Sequence, residues 1–310
     1  MTISNLRIGT RGSPLALAQA GWVRDRLLSF DEKRPPEIVS IKTSGDQHAD
    51  LPLSSMGGKG AFIRELENAL LAGEIDLAVH SMKDLPVDLP PGLLLAAITA
   101  RENPLDVFIS RTGTNLDGLP AGTAVGTGSL RRKAQLLRYR DDLVIREIRG
   151  NVDTRLKKLR DGFAEGLILA AAALKRLGQG DSITQYLHPD ICIPAAGQGA
   201  LGIEMREDDL PLKELLAVLH DQEAGLTVRA ERSFLHALGV GCHTPAGAYA
   251  ELSGGEMMLR GFVSSPDGRE MVSMNMLGRR EEGEIIGELL ARRVLNGGGS
   301  SLLAEKRGEP

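Results

Sequence analysis

The sequence IGTRGS at residues 8–13 recurs in a shortened form, VGTGS, at residues 125–129. Each copy is typical of a strand followed by a Gly-Thr turn and a serine that precedes a helical pattern. A serine at this position caps a helix N-terminus, where backbone N–H groups and the helix dipole can bind an anion. Either copy alone is compatible with an ordinary helix start. Two copies indicate two related α/β units, each with an anion-binding end that faces a cleft.

Short apolar runs alternate with amphipathic helical patterns through the first two thirds of the chain. This alternation predicts α/β units with parallel sheets. The first unit is expected to contain strands over 6–10, 37–42 and 76–79, and helices over 14–29 and 60–72.

The pattern changes after residue 220. A helix over 222–238, a β-meander over 249–276 and a helix over 284–295 predict a small α+β domain. The tail over 296–310 contains the run GGGSS and is expected to be mobile.

The composition indicates an ordinary folded, soluble chain. Of 310 residues, 42% are hydrophobic and 25% charged, and this length suffices for about two to three domains. The net charge of −4 excludes a global field that would hold nucleic acid or an anionic membrane. No apolar stretch approaches the roughly 20 residues of a membrane span, and the start lacks a leader pattern, so a cytoplasmic location is expected. Cys192 and Cys242 form no C-x-x-C pair and the histidines have no ligand spacing, so neither a disulfide framework nor a metal site is expected.

Residues 131–160 contain eleven basic and four acidic side chains. Most of these charges are expected on a solvated helix face. Arginine forks bind carboxylates through two hydrogen bonds, so arginines that converge on a cleft predict a ligand with several carboxylates or phosphates. Nucleic acid is disfavoured because aromatic residues make up only 3% of the chain. Four arginines lie at predicted helix starts or strand ends, namely Arg131, Arg132, Arg149 and Arg155.

Three further motifs have residues that could carry chemistry. The GGKG run at 57–60 lacks the spacing of a nucleotide-binding loop, which leaves either a lid that presents Lys59 or a plain turn. Asp84 follows a predicted strand, and it is either a surface partner of Lys83 or a carboxylate that handles protons at a cleft. Cys242 lies in a glycine-containing loop and is a candidate nucleophile or attachment point, whereas Cys192 is expected to be inert core.

The sequence closely resembles the porphobilinogen deaminase family of tetrapyrrole biosynthesis. The resemblance spans nearly the whole chain, and the segments that carry it occur in the family's order. They are IGTRGSPLAL (8–17), GGKGAF (57–62), VHSMKDLP (79–86), VGTGSLRR (125–132), RGNVDTR (149–155), LKRLG (174–178), PAAGQGALG (194–202) and AER (230–232) with Gly241 and Cys242.

The resemblance implies three domains. Domain 1 would comprise residues 1–99 plus 200–217 and domain 2 residues 100–199, both α/β and similar to the lobes of periplasmic binding proteins that flank a cleft. Domain 3, residues 218–310, would be α+β and would carry a dipyrromethane cofactor on Cys242 through a covalent thioether.

The implied reaction condenses four porphobilinogen molecules head to tail with loss of four ammonia molecules, followed by hydrolysis to hydroxymethylbilane in haem biosynthesis. Asp84 matches the catalytic aspartate. The implied partner is porphobilinogen alone, bound to a monomeric chain. The residues that match cofactor-binding positions are Cys242, Lys83, Ser13, Ser81, Thr127, Ser129, Arg131, Arg132, Arg155 and Asp84. Those that match substrate-binding positions are Arg11, Arg149, Arg155, Arg176, Gln198 and Lys59.

Three residues depart from the family pattern. Gly128 stands where many members have serine, Val240 where glycine is frequent and Asn103 where aspartate is frequent; these changes bear on affinity or rate. A different class of function, a two-lobed polycarboxylate-binding protein without catalysis, also fits the lobes and the arginines. It does not explain the third domain, Cys242 or Asp84.

Overall fold

The computed structural model describes residues 6–29, 36–43, 63–241 and 244–307. The chain divides into two compact units, Met1–Glu102 with Ala200–Gly225 and Asn103–Gly199 with Leu226–Pro310. Within the described ranges, no helix has the length and apolar character needed to span a membrane.

Strands and α-helices follow one another up to Arg176, except between residues 77 and 126, where four strands have no α-helix between them. The strands are β1 Arg7–Arg11, β2 Glu37–Ile41, β3 Leu77–Ser81, β4 Leu93–Ile98, β5 Asp106–Ser110, β6 Ala124–Gly126, β7 Val144–Arg146, β8 Gly166–Ala170, β9 Gln185–Tyr186, β10 Leu201–Arg206, β11 Ala246–Ser253, β12 Glu256–Ser264 and β13 Met271–Arg279. The α-helices are α1 Pro14–Leu28, α2 Arg64–Leu71, α3 Leu130–Tyr139, α4 Val152–Arg160, α5 Ala171–Arg176, α6 Leu210–Leu216, α7 Gln222–Ala237, α8 Gly283–Val294 and α9 Ser300–Arg307.

The first unit is built on a five-stranded sheet with the order β2-β1-β3-β10-β4. Strand β1 is parallel to both β2 and β3, whereas β10 is antiparallel to β3 and β4. Helix α1 packs on this sheet because Ala20, Val23 and Leu27 follow helical spacing and share a core cluster with Ile8 and Val79. The chain therefore returns to its first sheet after it has built the second.

The second unit contains a five-stranded sheet with the order β7-β6-β8-β5-β9. Strand β6 is parallel to β7 and β8, and β5 is antiparallel to β8. The expectation of parallel sheets is therefore correct only for three strands of each sheet. In both sheets, a strand that enters from the opposite direction makes the sheet mixed.

The C-terminal part of the second unit is a three-stranded antiparallel meander, β11-β12-β13, as the sequence predicts. Phe234 of α7, Leu259 of β12 and Leu290 of α8 belong to its core. Residues 300–307 of the tail form α9, and Leu302 and Leu303 are buried in the same core. The mobility of the tail stays a prediction.

The predicted fold class is confirmed, with two α/β sheets and a small C-terminal α+β part. The three-domain boundaries stay a prediction, since the compact units place the second α/β sheet and the meander together.

Candidate functional site

The segment IGTRGS comprises the end of β1 and the turn that leads into α1. Ser13 caps α1, its Oγ accepting a hydrogen bond from the Ala16 amide at 3.3 Å, and Thr10 Oγ1 donates to the Ala16 carbonyl at 3.1 Å. Because β1 and β3 are parallel neighbours, Arg11 and Ser81 end their strands at the same edge of the sheet.

A short 3₁₀ helix, Met82–Asp84, follows β3 at this edge. The Met82 amide donates to the Ala200 carbonyl at 3.0 Å, and the Met82 side chain is fully buried. Gln19 Nε2 donates to Ser81 Oγ at 2.8 Å, which ties the turn to α1. The backbone is thus anchored on both sides, while Lys83 is half-buried and the Asp84 carboxylate is exposed to solvent.

Three buried titratable groups in the first unit were not anticipated from the sequence. His80 Nε2 lies 2.9 Å from Glu204 Oε2, and Glu67 of α2 is only 8% exposed. Burial and the Glu204 charge raise the pKa of Glu67, and this outweighs the opposite effect of His80 and Arg64. The signal in the sequence is a histidine and a glutamate inside the otherwise apolar strands LAVHS and LGIEMR.

The second sheet repeats the capped turn. Ser129 caps α3 and its Oγ accepts from the Arg132 amide at 3.4 Å, while the Ser129 amide donates to buried Thr127 Oγ1 at 3.3 Å. The predicted pair of serine-capped helix starts is confirmed. Anion binding at these ends stays a prediction.

Arg131 and Arg132, in the first turn of α3, are 7% and 6% exposed and both pair with Asp106. Asp106 begins β5 and is opposite Ala170, the last residue of β8. Burial by itself would raise the pKa of Asp106, but the charges and hydrogen bonds of the two arginines hold that pKa far below its usual value. Sequence analysis missed Asp106, although an acid directly before an apolar strand is a signal for a buried ion pair.

The other predicted arginines of the second unit lie after β7 and β8, at the same edge as α3. Arg155 Nε donates to the Gly150 carbonyl at 2.7 Å, and Arg176 Nη2 to the Gly199 carbonyl at 2.6 Å. Arg149 pairs with Glu147. All three arginines are half-buried.

Gln198 joins the Asp106 cluster, because its Nε2 donates to Asp106 Oδ1 at 2.9 Å and to the Pro104 carbonyl at 2.7 Å. The structure therefore brings together Arg131, Arg132 and Gln198. Lys59 and Cys242 lie outside the described residues, as does the run at 57–62.

The departures from the family pattern have local explanations. A Cβ at Gly128 would lie 2.7 Å from the Ile148 carbonyl oxygen, so a serine does not fit this turn without a backbone shift. Asn103 Oδ1 accepts from the Leu105 amide at 3.0 Å. Val240 is half-buried and packs against the core of the meander.

Two family models match the chain. Residues 6–214 match "Porphobilinogen deaminase, dipyromethane cofactor binding domain", and residues 225–296 match "Porphobilinogen deaminase, C-terminal domain". The chain belongs to the porphobilinogen deaminase family. Porphobilinogen deaminases are transferases of tetrapyrrole and haem biosynthesis that use a dipyrromethane cofactor, and the first matched model covers the domain that binds it.

Solved structures of other proteins also share features with this porphobilinogen deaminase family member. The methionine-binding protein MetQ is 14% identical, with a TM-score of 0.46 over 72% of this chain and 93% of its own. A putative lipoprotein from Ruminococcus gnavus is 12% identical, with a TM-score of 0.43 over 71% and 93%. The BenM effector-binding domain with benzoate is 15% identical, with a TM-score of 0.43 over 71% and 91%. Similarities at this level carry no argument about function.

Proposed function

We propose that the chain condenses four porphobilinogen molecules head to tail with release of four ammonia molecules, extends a dipyrromethane attached to Cys242, and hydrolyses the product to hydroxymethylbilane. The match of the two family models over residues 6–214 and 225–296 carries this proposal. A monomeric chain in the cytoplasm, with porphobilinogen as its partner, is part of the same proposal.

The donor set at the edge of the second sheet suits a dipyrromethane. Each porphobilinogen unit has an acetate and a propionate, so the cofactor is a polycarboxylate. Two guanidinium groups share the single Asp106 carboxylate, which leaves a positive charge for a carboxylate ligand. When bound, the dipyrromethane supplies a free pyrrole α-carbon as the point of extension. The residues proposed to hold it are Cys242, Lys83, Ser13, Ser81, Thr127, Ser129, Arg131, Arg132, Arg155 and Asp84.

The remaining arginines are proposed to bind the acetate and propionate groups of porphobilinogen. Arg155 and Arg176 each donate to a backbone carbonyl, and this contact orients the guanidinium group. A guanidinium group binds a carboxylate through two parallel hydrogen bonds, which suits the acetate and propionate groups. The full proposed set is Arg11, Arg149, Arg155, Arg176, Gln198 and Lys59.

Asp84 is proposed as the catalytic acid–base group. During condensation the C–N bond of the aminomethyl group breaks, a C–C bond forms at a pyrrole α-carbon, and that carbon loses its proton. An exposed carboxylate on an anchored turn can accept hydrogen bonds from pyrrole N–H groups, stabilise the positive charge on the ring and move the proton.

Intact mass before and after incubation with porphobilinogen tests the proposal. We expect an excess equal to two condensed units on the peptide that contains Cys242, together with one ammonia released for each porphobilinogen consumed. Cys242→Ala is expected to lose the adduct and Cys192→Ser to keep it. The proposal fails if incubation yields neither an adduct nor ammonia, or if Cys242→Ala retains a covalent pyrrole.

A further inference from the structure

A buried acid holds two of the arginines proposed to bind the cofactor. We propose that Asp106 is a positioning residue that fixes the guanidinium groups of Arg131 and Arg132, so that their excess positive charge is presented to one carboxylate of the dipyrromethane. This inference rests on the proposed function and adds a residue that acts through the arginines rather than on the ligand.

Five donor contacts converge on the Asp106 carboxylate, which is fully buried. Oδ1 accepts from Arg132 Nε at 3.0 Å, from Arg132 Nη2 at 2.7 Å and from Gln198 Nε2 at 2.9 Å. Oδ2 accepts from Arg131 Nη1 at 2.7 Å and from the Cys192 thiol at 3.3 Å. A carboxylate offers about four lone-pair positions, so these contacts saturate it and fix its orientation.

The cluster carries one net positive charge. Burial and the neighbouring Asp106 carboxylate raise the pKa of Cys192 to about 12, so its thiol stays neutral and adds no negative charge. In the described part of the chain, neither Arg131 nor Arg132 forms an ion pair with a second acid. An unbalanced buried charge is costly, and a ligand carboxylate at this place would remove that cost.

The contacts of Arg131 leave donors for a ligand. Among the described residues, Arg131 forms hydrogen bonds only through Nη1, which donates to Asp106, to the Cys192 sulfur and to the Ile193 carbonyl. Its Nε and Nη2 donate to none of these residues. Gly247 of β11 leaves room for the stem, since a Cβ there would lie only 3.0 Å from Arg131 Cδ. Arg131 is therefore held from the Asp106 side, and two of its three nitrogens make no hydrogen bond to a described residue.

Asp106→Asn distinguishes orientation from charge, because it raises the charge of the cluster from one to two. If charge alone governed binding, the variant would take up cofactor as well as the parent or better. If Asp106 positions the arginines, the variant needs a higher porphobilinogen concentration than the parent to take up the cofactor. A merely structural role would lower the folded fraction and leave the concentration for half-maximal uptake unchanged.

The experiment uses the full chain expressed in cells that cannot make porphobilinogen. The chain is titrated with porphobilinogen, and intact mass gives the fraction that carries two condensed units. For Asp106→Asn, at a temperature where circular dichroism shows it folded, we expect the half-loading concentration to rise about tenfold or more, as for loss of a charge-assisted hydrogen bond. Asp142→Asn is the matched control, because it removes a carboxylate from a bidentate pair with Arg140 and is expected to load like the parent.

Asp106→Glu is the second variant, since it keeps the charge of the cluster and displaces the carboxylate by one methylene. Asp106→Glu is also expected to raise the half-loading concentration of porphobilinogen. This variant allows the test to be made even if Asp106→Asn does not fold. A half-loading concentration equal to that of the parent in either folded variant overturns the inference and leaves the proposed function intact. A parent chain that acquires no adduct overturns the proposed function and the inference with it.

Discussion

The edges of the two five-stranded sheets share a turn and differ in the charges behind it. At both edges a Gly-Thr pair lies at or near the end of a strand, and the turn after it leads into a serine-capped helix. The first unit buries Glu67 and Glu204 with a histidine, and the pKa of Glu67 is raised. The second buries Asp106 with two arginines, and the pKa of Asp106 is lowered. The capped turn is common to both edges, and the edges differ in the sign of the charge that is in excess among the buried groups behind it.

Asp84→Asn is expected to give the largest effect, because Asp84 is the exposed acid of the first edge. Turnover should fall by about 10²- to 10⁴-fold, the usual contribution of general acid–base catalysis. The cofactor and the melting temperature should be retained, since the side chain is exposed. Ammonia release and intact mass check this, with Asp88→Asn, another exposed acid of the same loop, as the control. Turnover comparable to that of the parent would remove Asp84 from the catalytic role.

Asp106→Ala is expected to lower the free energy of unfolding in addition to its effect on cofactor loading. Removing the shared counter-charge leaves two buried guanidinium groups unpaired, at a cost of about 3–5 kcal/mol. Urea unfolding measures this loss. Asp142→Ala, at a more exposed pair, should cost much less. Equal losses in the two variants would show that the Asp106 pairs are no more important than surface pairs.

Gly12 and Gly128, which precede the two capping serines, allow a second comparison of the two edges, with smaller expected effects. A Cβ at Gly128 would meet the Ile148 carbonyl oxygen at 2.7 Å, whereas one at Gly12 would meet Ser40 Oγ, on a rotatable side chain, at 3.2 Å. Gly128→Ala is therefore expected to cost about 1–3 kcal/mol, and Gly12→Ala less. Denaturant unfolding of both variants checks the order, which the opposite ranking would contradict.

Glu67→Gln is expected to give the smallest effect, and its sign depends on pH. Because the folded state raises the pKa of Glu67 above 4.5, the carboxyl contributes stability below that pH, and the contribution is lost as pH rises through the folded-state pKa. Glutamine mimics the neutral form. The variant should therefore gain stability over the parent at pH 7.5 and not at pH 4. Denaturant unfolding at pH 7.5 and at pH 4 tests this, with Glu74→Gln, at an exposed residue, as the control. A gain in stability of equal size at the two pH values would contradict the prediction.

Local patterns in the sequence predicted the elements that short-range physics controls. The serine caps, helix α1 and the meander follow from residues within one or two turns of each other. The Asp106 cluster did not follow, because Asp106 pairs with arginines 25 and 26 positions later and with Gln198, 92 positions later. His80 and Glu204 are separated by 124 positions. These contacts depend on strand order, which periodicity does not encode. The roles of the predicted site residues stay predictions.

The place of β10 in the first sheet has a consequence for biosynthesis. β10 lies between β3 and β4, and β4 has no other neighbour among the described strands of that sheet. During synthesis on a ribosome, residues 93–98 emerge about a hundred residues before their partner does. The N-terminal unit can complete its sheet only after the whole second α/β sheet has been made, since such a distant pairing is delayed by loop closure. The first part of the chain to be translated is thus among the last to become fully folded.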